Sequence, residues 1–195
     1  MKKRVFIIHG WEGYPEEAWF PWLKHELEEK EFEVVVPQMP NADAPSIDVW
    51  IPFLHTVVGK CDANTFFVGH SIGCQTILRY LEILPPQEKI GGAVLVAGWV
   101  SLTPIATRTP EEQTITRPWL EAPIDYEKIK THTKNFVGIF SDNDPYVPPE
   151  NQITYREKLN ARIAIIPGRG HFNEESNTKE FPDVLHAILG MVGVK

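Results

Sequence analysis

Cysteine is scarce: the chain holds 2 in 195 residues, Cys61 and Cys74. Two are too few for a disulfide framework, and they lack the paired spacing of a structural zinc site. Long apolar runs are missing as well. No stretch approaches the roughly 18 residues that a membrane span requires. Val5-Phe6-Ile7-Ile8 stops at His9, too short for the apolar region of a secretion signal. Basic residues are outnumbered, 19 against 26 acidic ones, for a formal net charge of −7. Their only run, Lys2-Lys3-Arg4, leads straight into apolar residues, so the clustered cations that track a phosphate backbone are absent. These shortages argue against a nucleic-acid binder and against a membrane protein. They predict a cytoplasmic chain with reduced thiols, and its length and 43% hydrophobic content suit one domain over 1–195 with a single core.

What the sequence does contain is an alternation. Strand-like runs enriched in β-branched and aromatic residues stand at Arg4–His9, Glu33–Val36, Thr65–Gly69, Gly92–Ala97, Phe136–Phe140 and Arg162–Ile166. Most are continuously apolar, as strands buried on both faces are. Helical patterns lie between them at Glu16–Lys30, Ile47–Val58, Ser71–Leu84, Glu150–Leu159 and Asp183–Met191. Pro85-Pro86 closes the third. Strands alternating with helices predict an α/β fold, a mainly parallel six-stranded sheet with helices on both faces. The segment 99–134 breaks the rhythm. It has no clean period and carries Pro104, Pro110, Pro118 and Pro123, yet also Trp99, Leu102, Ile105 and Trp119. A short flap near the site fits it better than a solvated tether.

The third strand runs into Gly69-His70-Ser71-Ile72-Gly73, and a helical pattern follows at once. G-x-S-x-G at a strand-to-helix turn is a nucleophile elbow, so tight that the positions flanking the serine must be nearly bare. With 13 glycines and five serines, chance supplies about 0.02 such matches before any context is required. A serine hydroxyl needs a base, and the base an orienting acid. On this kind of sheet the order is Ser, then Asp or Glu, then His, each after a later strand. Ser141-Asp142-Asn143-Asp144-Pro145 follows the fifth strand and Gly168-Arg169-Gly170-His171-Phe172 the sixth. Gly168 and Gly170 free the loop to turn His171 inward. Both Asp142 and Asp144 are open as the acid, and the proline-stiffened loop favours Asp144, with Asp142 as a turn residue or helper. The oxyanion hole needs two backbone N–H groups. Ile72 follows the nucleophile, and Gly10 frees the backbone to turn the Trp11 amide inward.

Other residues at the strand ends are weighed against plainer roles. His9, Gly10, His70, Trp99, Tyr146 and Phe172 are candidate substrate contacts, and each is also compatible with packing. His9, His70, His171, Asp142 and Asp144 do not form a convincing metal set, so no metal is expected. Cys74, three residues after Ser71, reads as a core thiol rather than a nucleophile. Trp19 and Trp22 read as core.

The layout resembles the α/β-hydrolase superfamily, and within it the small serine hydrolases typified by bacterial YdeN and retinoblastoma-binding protein nine. The resemblance is carried by Phe6-Ile7-Ile8-His9-Gly10, Trp19-Phe20-Pro21-Trp22-Leu23, Met39-Pro40-Asn41 and Gly69-His70-Ser71-Ile72-Gly73-Cys74. It continues in Ile77-Leu78-Arg79-Tyr80-Leu81, Asp144 to Pro148, and Gly170-His171-Phe172. It implies Ser71 as nucleophile, Asp144 as acid and His171 as base. It further implies a compact sheet ordered 2-1-3-4-5-6 and no large cap domain. The expected activity is hydrolysis of a small-molecule ester or amide without a cofactor, in an aromatic-lined, uncharged pocket. A catalytically inactive binding or regulatory module on the same fold is the alternative, and a protein partner stays open.

Overall fold

The computed structural model describes residues 2–193. Six strands, β1 (Arg4–Ile8), β2 (Glu33–Val35), β3 (Thr65–His70), β4 (Gly92–Val96), β5 (Phe136–Ser141) and β6 (Arg162–Ile166), form one sheet ordered β2-β1-β3-β4-β5-β6. Every neighbouring pair is parallel. The interior strands β3, β4 and β5 are buried at every residue, which is why they read as unbroken apolar runs. The edge strand β6 is only partly covered and leaves Ile165 about half exposed.

The described residues form seven α-helices: α1 (Phe20–Glu28), α2 (Ile47–Val58), α3 (Ile72–Ile83), α4 (Pro110–Glu121), α5 (Tyr126–His132), α6 (Glu150–Leu159) and α7 (Pro182–Val192). On one face α1 packs on β2 and α7 on β4, and the two helices touch. On the other face α3 packs on β1 and β3, α6 on β5 and β6, with α2 and α5 beside α3. Neighbours on both sides explain why α3 is buried without interruption from Ile72 to Leu81. Its Arg79 is buried, and among the described residues no carboxylate pairs with it. The guanidinium instead donates to the carbonyls of Trp119, Ala122 and Pro123 at the end of α4, over the Trp119 ring. The buried apolar side chains form one cluster, from Val5 to Ile188. Among the described residues no helix is long and apolar enough to cross a membrane.

The structure corrects the expected boundaries. The helix expected from Glu16 starts only at Phe20, because Ala18 takes a left-handed φ of 48° and Pro21 sits in the first turn. The segment 99–134, which shows no clean period in the sequence, is largely helical. A 3₁₀ turn spans Pro104–Thr107, then come α4 and α5. Helix α4 starts with Thr109 and Glu112 bonding each other's backbone N–H and Pro110 as first residue, a capping box. Only the part up to Thr116 faces the pocket described below. Helix α5 packs against α3 and α6 instead.

Candidate active site

The parallel sheet delivers the C-terminal ends of β1, β3, β4, β5 and β6 to one edge, where chain reversals expose side chains and unpaired amides. The turn after β3 is the sharpest. Ser71 adopts φ 53° and ψ −121°, a strained setting for an L residue. A Cβ on Gly69 would come within 2.8 Å of the Cys74 amide, and one on Gly73 within 2.3 Å of the Ile8 carbonyl. Close approach of backbone to backbone therefore requires both glycines. The Ser71 N–H donates to the Val96 carbonyl at 2.9 Å, tying the elbow to β4.

The loops after β5 and β6 are joined rung by rung. Asp142 Oδ1 accepts the Gly168 N–H at 2.7 Å, Ser141 Oγ accepts from Arg169 at 3.0 Å, and Asn143 Oδ1 accepts from Gly170 at 2.8 Å. The next residues continue the series through a side chain: His171 Nδ1 and Asp144 Oδ2 lie 2.8 Å apart. Left-handed backbone at Gly168 and Gly170 allows this path, with φ 70° and 52°. Asp144 Oδ1 accepts the N–H groups of Tyr146 and Val147 at 2.9 and 3.1 Å. The two candidate acids thus have different tasks. Asp144 meets the ring, and Asp142 holds the loop that carries it. The contribution of Ser141 and Asn143 was not foreseen, although four consecutive hydroxyl, carboxylate or amide side chains after a strand are a sequence signal for such a ladder.

Behind His171 stands His70, 3% exposed, whose Nε2–H donates to the His171 carbonyl at 2.7 Å. Burial, reinforced by the adjacent His171 ring, lowers His70 to a pKa of about 3, so it is neutral and its Nδ1 is an acceptor. That atom is buried and has no partner. The Tyr146 ring meets the His171 ring edge to face, 5.1 Å between centroids. Ser71, His171, His70, Gly10, Trp11, Trp99 and Tyr146 all line one pocket of about 590 Å³, together with Leu102, Ile105 and Ile115 from the segment above it. Among the hydrogen bonds of the described residues none yet joins Ser71 to His171, a contact that commonly tightens only around substrate. The amides of Trp11 and Ile72 are not engaged by a protein acceptor among the described residues. The turn that carries Trp11 is held by Glu12, at φ 57°, whose N–H donates to the Ala42 carbonyl at 2.7 Å.

Three expectations fail here. His9 does not line the pocket: it is fully buried, with Nδ1 on the Gly10 carbonyl and Nε2 accepting the Met39 N–H, and it stiffens the turn from behind. Burial lowers its pKa, and the Met39 N–H requires the neutral ring. Phe172 is also core, stacked on Phe181 at 4.8 Å, because its left-handed φ of 56° turns it away from His171. The pocket is not uncharged. Glu12, Glu17, Asp43, Glu111, Glu112 and Glu175 line it, and among the described residues no Lys or Arg does. Trp19 is core as expected, but Trp22 is half-buried beside a second, smaller cleft. Cys74 is buried with its thiol on the Val96 carbonyl, and burial drives its pKa well up, which suits a structural role. No group of three or more His, Cys, Asp or Glu among the described residues is arranged to hold a metal ion.

Comparison with known proteins shows the family. The family described as serine hydrolase matches residues 5–189. YdeN of Bacillus subtilis (strain 168), named as a hydrolase, is 30% identical over 188 residues, covering 96% of this chain and 95% of its own. Its crystal structure superposes with a TM-score of 0.90 at 28% identity, covering 98% of this chain and 100% of that one. The serine hydrolase RBBP9 of Rattus norvegicus is 26% identical over 176 residues, covering 90% of this chain and 87% of its own. Est1E of Butyrivibrio proteoclasticus, solved with ferulic acid, shares the fold with a TM-score of 0.75 at 16% identity, covering 98% of this chain and 90% of its own.

Proposed function

The chain belongs to the serine hydrolase family, and from that membership we propose that it cleaves small esters, and more slowly amides, through an acyl-serine intermediate on Ser71. The observation that carries this reading is the convergence on one pocket of Ser71 at a strained elbow and His171 paired to Asp144 at 2.8 Å. In the proposed reaction Ser71 Oγ attacks the carbonyl carbon and His171 Nε2 takes its proton. Asp144 holds the Nδ1–H tautomer and stabilises the imidazolium that forms. The oxyanion sits between the amides of Trp11 and Ile72, each donor being worth about 2.7–4 kcal/mol in comparable sites. The tetrahedral species collapses, and the leaving group departs with the proton from His171. Water then attacks the acyl carbon, again losing a proton to His171, and the acid and free Ser71 are released.

No cofactor takes part in this scheme. The partner is a small molecule, because the pocket volume of about 590 Å³ suits short acyl groups. Two buried free cysteines support a reducing, cytoplasmic location. The test is labelling with a fluorophosphonate followed by peptide mapping. One adduct on Ser71, lost in Ser71→Ala and His171→Ala, is expected. A folded wild type that stays unlabelled would refute the proposal and favour a binding protein. A chain-length series of esters should fall in kcat/KM beyond short acyl groups.

A further inference from the structure

The charge of the pocket goes beyond what hydrolysis requires. We infer that the substrate carries an ammonium group, and that Glu17 is the carboxylate that receives it. This deepens the proposed function and rests on Ser71 being the nucleophile.

The first observation is the imbalance of the wall. Six carboxylates line the pocket against no lysine or arginine among the described residues. Two of them have internal work. Glu112 accepts the Thr109 N–H in the cap of α4, and Glu175 lies near Tyr146. Glu17 is different. It is half-buried, with its Oε2 shut off from solvent and without a hydrogen-bond partner. A buried oxygen without a donor costs stability, and an N–H group of a ligand would relieve that cost. Its charge is opposed by that of Glu174 and favoured by His171. Desolvation, with Glu174 adding to it, raises its pKa against the opposing pull of the Tyr14 backbone and His171, and the charge of an ammonium would add to that pull.

The second observation is independent of the acids. His70 is 3% exposed, lines the pocket, and presents an unpartnered Nδ1. Because its Nε2–H is spent on the His171 carbonyl, Nδ1 is a bare acceptor. Residue 10 leaves Nδ1 uncrowded because it is glycine: a Cβ there would stand 3.2 Å from Nδ1 and 3.5 Å from the Ser71 Cβ. Two buried acceptors without a donor, Glu17 Oε2 and His70 Nδ1, therefore belong to residues that line the same pocket as Ser71. An ammonium offers three N–H donors and one positive charge, which answers both deficits. An anionic substrate, by contrast, would meet six like charges.

The experiment compares 4-(aminomethyl)phenyl acetate with its neutral isostere 4-ethylphenyl acetate. The rigid ring keeps the amine from attacking its own ester. At low ionic strength kcat/KM is expected to favour the cation by about tenfold, and the ratio should fall toward one near 1 M salt. Glu17→Gln should lower the ratio at least threefold. Glu157→Gln, an equal loss of charge on the exposed face of α6, should leave it unchanged. A ratio at or below one, or a ratio indifferent to Glu17→Gln, overturns the inference while leaving the hydrolase reading intact. If neither ester turns over and fluorophosphonate fails to label Ser71, the hydrolase reading falls. Binding of benzylammonium against benzyl alcohol, followed by the fluorescence of Trp11 and Trp99, then decides the charge question: equal affinities refute it.

Discussion

Replacing Asp144 with asparagine puts the proposed mechanism under its strictest test, because the structure dictates which way the new amide must point. Oδ1 of Asp144 accepts two backbone N–H groups, from Tyr146 at 2.9 Å and Val147 at 3.1 Å. In Asp144→Asn those donors hold the amide oxygen in place, so the NH₂ group takes the Oδ2 position, 2.8 Å from His171 Nδ1. Two donors cannot face each other. His171 must then present its Nδ1 lone pair and carry the proton on Nε2, where it cannot accept one from Ser71. The charge is lost as well. The carboxylate is 3% exposed and the ring 11%, so an effective dielectric near 20 applies and the imidazolium loses about 4 kcal/mol of stabilisation. That is a factor of about 10³, and the wrong tautomer extends it to about 10⁴ in kcat, the size of loss seen in other triads. The assay is steady-state ester hydrolysis with thermal unfolding alongside, since the asparagine keeps both loop hydrogen bonds and should leave Tm within a few degrees. Asp142→Asn is the control. Its oxygen serves only the Gly168 N–H, which asparagine can still receive, so kcat should stay within about threefold. Retention of more than a tenth of wild-type kcat in Asp144→Asn would refute the assignment, as would an equal loss in Asp142→Asn.

Other consequences can be checked in parallel. The unfolded chain protonates His70 near its ordinary pKa of 6.5, while the folded chain does so only near 3, so folding excludes a proton in between. Stability should therefore fall as pH drops from about 6.5, by up to about 1.4 kcal/mol per unit. His9 adds in the same direction. Calorimetry at pH 7, 6 and 5 should show a shallower decline in His70→Gln, and parallel declines would contradict the argument. Gly73→Ala should destabilise by at least 1–3 kcal/mol in urea melts, since its Cβ would press on the carbonyls of Ile8 at 2.3 Å and His9 at 2.7 Å. Arg79→Met strips donors from three carbonyls at the end of α4 and should cost about 2–4 kcal/mol. Hydrogen exchange in 110–121 should then rise more than in α6, and uniform exchange would show that Arg79 does not anchor the pocket roof.

The fold was legible because its signals are local. Uninterrupted apolar runs can only be strands covered on both faces, and helix-length stretches between them leave parallel pairing as the sole economical connection. The G-x-S-x-G turn was legible for a similar reason, as steric exclusion at Gly69 and Gly73 leaves a trace in the residue types themselves. The helices inside the segment 99–134 were hidden by its prolines. Pro110 at the first helical position is a start signal, and with Thr109 and Glu112 the capping box was there to be seen. Pro118 inside the same helix masked the period.

Sequence alone thus determined the α/β class, the strand-helix alternation, the elbow at Ser71 and the chain order of serine, aspartate and histidine. Those properties depend on neighbours in the chain. The sequence favoured Asp144 over Asp142, and only the tertiary structure shows that Asp144 is the carboxylate that reaches a ring 27 residues away. It also moved His9 and Phe172 out of the pocket, through a Met39 hydrogen bond and a left-handed φ that no periodicity encodes. The acidic wall was hidden for the same reason. Its carboxylates come from separate segments, around Glu12, Asp43, Glu111 and Glu175, and no window along the chain holds them together. Folding brings like charges to one cavity, where their repulsion becomes a property of the site and not of any stretch of sequence.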